Sequence, residues 1–481
     1  MRAYFIGIDI GTQGARIVLL DEGGSPVHAV SAGFEWTDES RTEQSPLMWW
    51  NTCKALLISL ARQAAQYIDL TEIRAISVTS TSGTIIPLDK KNHPLYPAIM
   101  YSDQRSAEDA RHCATLAEEA GTTGFSAFNS SCGLPKMRWF MGLDSTHAER
   151  LGRFVHAADY IIGQLSGNFG VTDYTNALKS GYDVHRLEWP AYITNKLQLP
   201  PGWLQEVVPS GTPVGTLLKE LATETGLSDK IVITAGMTDG CASQVASGAV
   251  RLGDWNTTIG TTLVIKGVTT HEVRDPSGAI YNHRHPDGYW MPGGASNTGA
   301  DWISTLFNGQ DLEHLNQEAA LLIPGNHLAW PLLQSGERFP FVSAAARGFA
   351  PDGLSRAELF TAYLEGVAFI EKYAYDKIRK LSGEAIKCVY SAGGGSSSDT
   401  WLRIRSNVLN LPIAKMENVT GAAGAAILAA SKTFYRHLEE AGTYMTHAEK
   451  TIQPEPELVS AYAERYQAFV KLLELKGYIN D

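Results

Sequence analysis

Apolar and polar positions along the chain fall into two recurring patterns. Short apolar runs read as buried strands, and stretches with apolar residues every three and four positions read as amphipathic helices. The first run, Tyr4-Phe-Ile-Gly-Ile-Asp9, turns at Gly11-Thr12 into a second, Ala15-Arg-Ile-Val-Leu-Leu20, ending at Asp21-Glu-Gly-Gly24; this predicts a hairpin. Over residues 46–66, Trp49, Trp50, Cys53, Leu56, Leu57, Leu60 and Ala64 share one helix face, with Ser45 as N-cap and Pro46 in the first turn. A strand at Ala75-Ile-Ser-Val78 follows and runs into the small-residue segment Thr79–Thr84. The order returns about 310 residues later: a helix face of Phe360, Leu364, Val367, Ile370, Ala374 and Ile378, a strand Cys388-Val-Tyr390, then Ser391-Ala-Gly-Gly-Gly-Ser396. The opening hairpin is echoed by Asp254–Lys266, which turns at Gly260-Thr261. The repeat predicts two related α/β halves, 1–247 and 248–481, divided near residues 245–252, with a closing helix from Pro454 onward.

Composition narrows the functions open to such a chain. A length of 481 residues suits two or three domains, and 44% hydrophobic with 19% charged residues is ordinary for globular cores. The net charge of −11 repels phosphate backbones and anionic lipid, so neither nucleic acid nor a membrane is an expected partner. A nucleotide stays open, because backbone N–H groups and a bound cation supply positive potential locally. Five scattered cysteines without a C-x-x-C pair, an acid as early as Asp9 and no long apolar stretch point to a reducing, cytoplasmic setting.

Asp9 ends an otherwise apolar strand, where a carboxylate is costly unless it meets a cation or donors; Mg²⁺ on a nucleotide meets that need. A Gly-Thr turn by itself is chain reversal, but two such turns, one per half, suit phosphate held by backbone N–H groups and Thr hydroxyls. The Gly393-Gly-Gly395 segment follows a strand and precedes a helical run, Trp401–Leu409, and serves equally as a flexible loop or a binding loop. Asp239 follows the strand Ile231–Thr234 and its break at Gly236, at the mouth of a small-residue helix. There it is either an N-cap or a proton acceptor facing a ligand crevice. Asn282-His283-Arg-His285 lacks a third metal ligand and reads as surface histidines.

Taken together these residues resemble the FGGY family of carbohydrate kinases over nearly the whole chain. Asp9-Ile-Gly-Thr12 with Arg16 is similar to the family's first phosphate motif and Thr258-Ile-Gly-Thr261-Thr262 to its second. Gly393-Gly-Gly395 resembles the adenosine motif, Tyr101-Ser-Asp103-Gln-Arg105 the Trp-x-Asp-x-Arg motif, and Thr420-Gly-Ala-Ala-Gly424 the connecting helix. The signature near Lys136 is partly met, with Gly133 replacing the usual Pro, Ser or Thr while Lys136 and Trp139 are kept. Within the family the D-ribulose kinase branch is nearest, on Thr81-Ser-Gly-Thr84 where xylulokinases carry Gln-Met-His-Gly, and on Asp173–Asp183, Gly293–Gly299 and Gln334–Pro340.

The resemblance implies two duplicated ribonuclease-H-like, actin-like ATPase domains with a central cleft, the first binding sugar and supplying the base, the second binding ATP. It implies ATP and Mg²⁺ as cofactors and phosphorylation of O5 of D-ribulose, with D-xylulose, L-ribulose or glycerol as alternative acceptors. Asp239 would be the base and Asp9 would organise Mg²⁺ through water. Thr81, Ser82, Gly83, Asp103 and Asp239 would grip the sugar. Gly11, Thr12, Gln13, Arg16, Gly260, Thr261, Thr262, Gly393, Gly394, Gly395 and Asp399 would hold ATP. A filament- or client-driving ATPase and a sugar-sensing pseudokinase are the readings of another class. The expected partners are the sugar and ATP, with room for a homodimer.

Overall fold

In the computed structural model, which describes residues 2–122, 125 and 127–479, the chain forms two units. The first comprises Met1–Ala246, His283–Gly288 and Thr420–Thr446, the second Ser247–Asn282, Tyr289–Val419 and His447–Asp481.

The opening hairpin is β1 (Tyr4–Ile10) and β2 (Gly14–Asp21), continued by β3 (Pro26–Gly33). All seven residues of β1 are buried, as expected of a strand covered on both faces, whereas β3 at the sheet edge has no buried residue. Helix α1 (Pro46–Ala64) starts where its cap does: Ser45 Oγ accepts the Met48 N–H at 3.2 Å, and Pro46 occupies the first turn. Strand β4 (Ile73–Ser80) lies parallel to β1. Further on come α2 (Tyr174–Leu178), β5 (Pro213–Thr216), β6 (Val232–Thr234), β7 (Met237–Thr238) and α3 (Asp239–Ala246). The sheet order is β5-β6-β4-β1-β2-β3, with β7 also pairing parallel to β4.

The second unit repeats this plan. Strands β8 (Asp254–Ile259) and β9 (Leu263–Gly267) form its hairpin, and β10 (Trp290–Ser296) pairs with β9. Helix α4 (Arg356–Ser382) leads into β11 (Cys388–Ala392), α5 (Asp399–Leu409) and β12 (Ile413–Met416). The order β10-β9-β8-β11-β12 is closed by β13 (Ala448–Ile452), after which α7 (Pro456–Leu475) packs on α5; a short helix from the first unit, α6 (Gly421–Ala430), precedes β13 in the chain. The second sheet has one more strand, Tyr281–Arg284, outside β10; across the six strands the two sheets share, each runs antiparallel, antiparallel, parallel, parallel, antiparallel. The duplication expected from hydrophobic periodicity is therefore present in those six strands.

Against expected ranges of 1–247 and 248–481, the chain first leaves the first unit after Ala246 and α6 returns to it, and the reason is packing. β1 alternates its faces. Tyr4, Ile6, Ile8 and Ile10 enter the core that contains Trp49, Cys53 and Leu57 of α1. Phe5, Gly7 and Asp9 face the returning segment: Phe5 meets Phe434 with ring centroids 5.7 Å apart, and a Cβ at Gly7 would lie 1.8 Å from Ala422 O. Glycine at position 7 thus sets the distance of closest approach, and the small side chains of α6 let it pack on β1 and on α3 at once. Among the described residues no helix is long and apolar enough to cross a membrane.

Candidate active site

The register of the first sheet puts polar residues at the carboxyl ends of neighbouring strands. Asp9 in β1 pairs across to Thr79 in β4, and Ser80 pairs across to Thr238 in β7, directly before Asp239. Asp239 opens α3 and is exposed, its Oδ1 accepting the Gly240 N–H at 2.7 Å. Asp9 is nearly buried, with Arg16 Nη1 at 3.7 Å and the first turn of α6 against it; a Cβ on Gly421 would come within 2.8 Å of Asp9 Oδ2. Burial, and after it the negative charge of Asp239, push the Asp9 carboxyl up to about 6, against an opposing pull from Arg16.

That cost has a measurable consequence. Between the unfolded value of 3.8 and about 6 the unfolded chain ionises Asp9 while the folded chain keeps it protonated, so stability falls as pH rises through this window. Asp9→Asn in metal-free buffer is expected to match wild type near pH 4 and to exceed it above pH 6 by on the order of 2–3 kcal/mol. Thermal melts across pH 4–8 check this, and equal melting temperatures at pH 7.5 would contradict it.

The turn between β1 and β2 closes with Gly11 N–H to Gly14 O at 3.0 Å and is braced from outside, Gln44 Nε2 donating to Thr12 O at 2.9 Å and the Phe34 N–H to Gln13 O at 2.9 Å. An open pocket of about 540 Å³ is lined by Gly11, Thr12, Gln13, Arg16, Arg41 and Tyr101, which places two guanidinium groups beside the turn. Beyond β4, Thr81 Oγ1 and Thr84 Oγ1 are 3.1 Å apart, Gly83 is buried, and the hydroxyls of Ser80 and Ser82 are buried without a protein partner. Unpaired buried hydroxyls beside an exposed carboxylate are donors awaiting a polar ligand.

Asp103 is placed differently from a free sugar-gripping carboxylate. It is 1% exposed, and both oxygens are taken by Arg105, which also pairs with Glu43 at 2.7 Å and stacks over Trp139 at 4.4 Å. Lys136 lies behind it, wholly buried, donating to Ser130 O and Cys132 O, its pKa lowered by burial to about 8.

In the second unit, Gly260 donates to Thr262 O at 3.0 Å and accepts the Ala300 N–H at 2.8 Å, leaving Thr261 exposed at the tip. Gly393 has φ +83°, and a Cβ there would lie 2.5 Å from Ile259 O, so the loop crosses the end of β8 with bare backbone. Gly394 is open, Gly395 packs on Ile259 and Trp401, and Asp399 begins α5 as an exposed partner of Lys450. The loop is anchored from beneath: Ser391 Oγ and Ser396 Oγ are 2.8 Å apart, and Arg405 Nη1 donates to Ser391 Oγ at 2.6 Å. His283 and His285, read from sequence as surface residues, are buried, His283 within the strand Tyr281–Arg284 and His285 just past its end; no metal-binding group of three His, Cys, Asp or Glu residues exists among the described residues.

Residues 4–246 match the N-terminal domain of the FGGY family of carbohydrate kinases, and residues 252–433 match its C-terminal domain. The chain belongs to this family. It is a sugar kinase by that membership, and it is 27% identical over 487 residues to the xylulose kinase of Bacillus subtilis, covering 97% of this chain and 96% of that protein. It is 26% identical over 455 residues to the gluconokinase of the same organism, covering 89% and 87%. The crystal structure of a xyloylose kinase from Brucella ovis superposes with a TM-score of 0.87 at 27% identity, covering 99% of this chain and all of that one. The two α/β units accordingly have the actin-like ATPase fold of FGGY kinases.

The residues present fit the cosubstrate and metal of such a kinase. Asp9 and Asp239, the charge of the second raising the proton affinity of the first, with no metal-binding group of three among the described residues, suit Mg²⁺, which keeps most of its waters and shares the substrate's phosphates. The bare backbone at Gly393 and Gly394 suits a flat base or ribose. Sequence reasoning on this FGGY chain missed the Arg405–Glu371 pair beneath the glycine loop and the buried contacts behind Asp239, because each joins residues far apart in sequence.

Proposed function

We propose that the chain transfers the γ-phosphoryl group of ATP to the terminal hydroxyl, O5, of a ketopentose. The observation that carries this reading is the exposed Asp239 at a strand end, with Asp9 beside it and the unpaired Ser80 and Ser82 hydroxyls on the neighbouring strand and its continuation. Asp239 accepts the proton that the sugar alcohol loses as its oxygen attacks phosphorus. Ser82 and Thr81 donate to the remaining hydroxyls, while Asp103, held by Arg105, fixes the neighbouring wall. In the first unit Thr12 and the N–H groups of its turn offer donors to phosphate oxygens; in the second, Thr261 and its turn offer the same and Gly393–Gly395 offer bare backbone to adenosine. Mg²⁺ accompanying ATP supplies positive charge to the phosphates, and Asp9 is the residue that would hold its water shell.

Similarity to the xylulose kinases favours D-xylulose as the acceptor. D-Ribulose is the second reading, and it rests on Thr81-Ser82-Gly83-Thr84. That segment offers hydroxyls and no imidazole, and a site built on different donors penalises the wrong epimer. The test is kcat/KM by ADP release for D-xylulose, D-ribulose, L-ribulose, glycerol and gluconate, with the phosphorylated position read by NMR. D-Xylulose is expected to lead with a 5-phosphate product. D-Ribulose ahead by tenfold would replace the first reading with the second, and turnover of neither would end both.

A further inference from the structure

Behind Asp239 lies a buried polar chain of Asp173, Thr175 and Thr238, residues not themselves assigned to sugar or nucleotide. Thr238, the residue before Asp239, is buried, and its N–H is donated to Thr175 Oγ1 at 2.9 Å. Strand β7 has two residues and pairs with β4 alone, so this N–H looks away from its strand partner and draws its acceptor from α2. A buried amide N–H without an acceptor is among the costlier defects of a fold, so the Thr175 hydroxyl is the group that lets β7 end where it does.

A hydroxyl has one proton, and the direction of that proton decides what its lone pairs meet. Thr175 Oγ1 gives its proton to Asp173 Oδ1 at 2.7 Å, which turns the lone pairs toward Thr238. Asp173 itself cannot turn. It is fully buried; Oδ1 also accepts the Thr175 N–H at 2.7 Å and Ser210 Oγ at 2.9 Å, and Oδ2 accepts Asn176 Nδ2 at 2.5 Å. From the other side Thr79 Oγ1 donates to Met237 O at 2.9 Å, so β7 is gripped on both edges immediately before Asp239.

We propose that Asp173 and Thr175 are positioning residues for Asp239: a carboxylate-to-hydroxyl-to-amide relay fixes the backbone of Thr238, and with it the direction in which the Asp239 side chain leaves β7. This rests on Asp239 being the base. The relay fixes the base relative to the sugar hydroxyl and leaves the phosphate turns untouched, so its loss slows the chemical step and spares nucleotide binding.

The test compares Thr175→Val, which keeps the side-chain shape and removes the hydroxyl, with Thr175→Ser, which restores it. Thr225→Val serves as control: that buried threonine, in the same unit, bonds within its own helix to Leu221 O. Thr175→Val is expected to lower kcat at least about tenfold with KM for ATP within twofold of wild type, Thr175→Ser to return kcat to within twofold, and Thr225→Val to leave kcat unchanged. Wild-type kcat in Thr175→Val, or an equal drop in the Thr225 control, overturns the proposal. Should Thr175→Val not fold, Thr175→Cys takes its place, since a thiol is a weak and distant acceptor; a drop of threefold or more then supports the relay and none overturns it. Asp239→Ala measured alongside separates the two claims. If it turns over normally, the base assignment fails; if it is inactive while the Thr175 variants are normal, only the relay does.

Discussion

Asp239→Ala is expected to lower turnover by at least ~10² while ATP binding stays within a few-fold of wild type, because a positioned general base contributes about that much and touches the acceptor, not the nucleotide. The carboxylate stands at the carboxyl end of β7, exposed, on the first residue of α3. That is where open parallel sheets present groups to ligands. A second readout belongs to the same variant. The charge of Asp239 is one of the causes that hold the Asp9 carboxyl near 6, so its removal should move the Asp9 titration to lower pH. Turnover by ADP release, nucleotide affinity by calorimetry and carboxyl titration by NMR check the three parts. Wild-type turnover would remove Asp239 from the base role, whatever happens to the titration.

Glu371→Ala should destabilise the second unit by about 3–5 kcal/mol. Glu371 on α4 and Arg405 on α5 are both wholly buried and joined by two parallel bonds, Nε to Oε2 at 2.7 Å and Nη2 to Oε1 at 2.8 Å. Truncating the carboxylate leaves a wholly buried guanidinium that keeps, among the described residues, Ser391 Oγ as its side-chain acceptor. Against a typical domain stability of roughly 5–15 kcal/mol this is a large fraction. The expected signature is a lowered calorimetric transition for the second unit with the first unit's transition unmoved. The double variant Glu371→Met with Arg405→Met should recover most of the loss, since apolar side chains of similar volume remove both charges. A loss below 1 kcal/mol in Glu371→Ala would mean that water reaches Arg405.

The duplicated sheets were legible because hairpins, caps and helix faces are local patterns, repeated once with their Gly-Thr turns in step. Asp9 and Asp239 stood out for the same reason, as charges ending apolar runs. Arg405 did not, since in Trp401-Leu-Arg-Ile-Arg405 two arginines at alternate positions look alike, and only Glu371 on another helix makes one of them buried. The pairing of Asp103 with Arg105 was within local reach, yet the motif hides whether the carboxylate faces its arginine or the solvent. The helix α6 has no polar face at all, so its sequence announces burial without saying against what. Buried His283 and His285 fail by the opposite route, polar side chains buried in and just past a strand whose pattern is too short to read.

The lodging of Gly421–Ala430 against Gly7 bears on how the molecule is made. Tyr435 bonds to Glu22 O across 413 positions of chain, among the longest closures in the structure. A nascent polypeptide that has emerged only to Ala246 has its first sheet strands but lacks the helix that seats Asp9 and α3, and at ~5–20 residues per second a ribosome needs roughly 10–40 s more to deliver it. During that interval Phe5 and Gly7, the face of β1 that the returning segment covers in the finished chain, lack their packing partners.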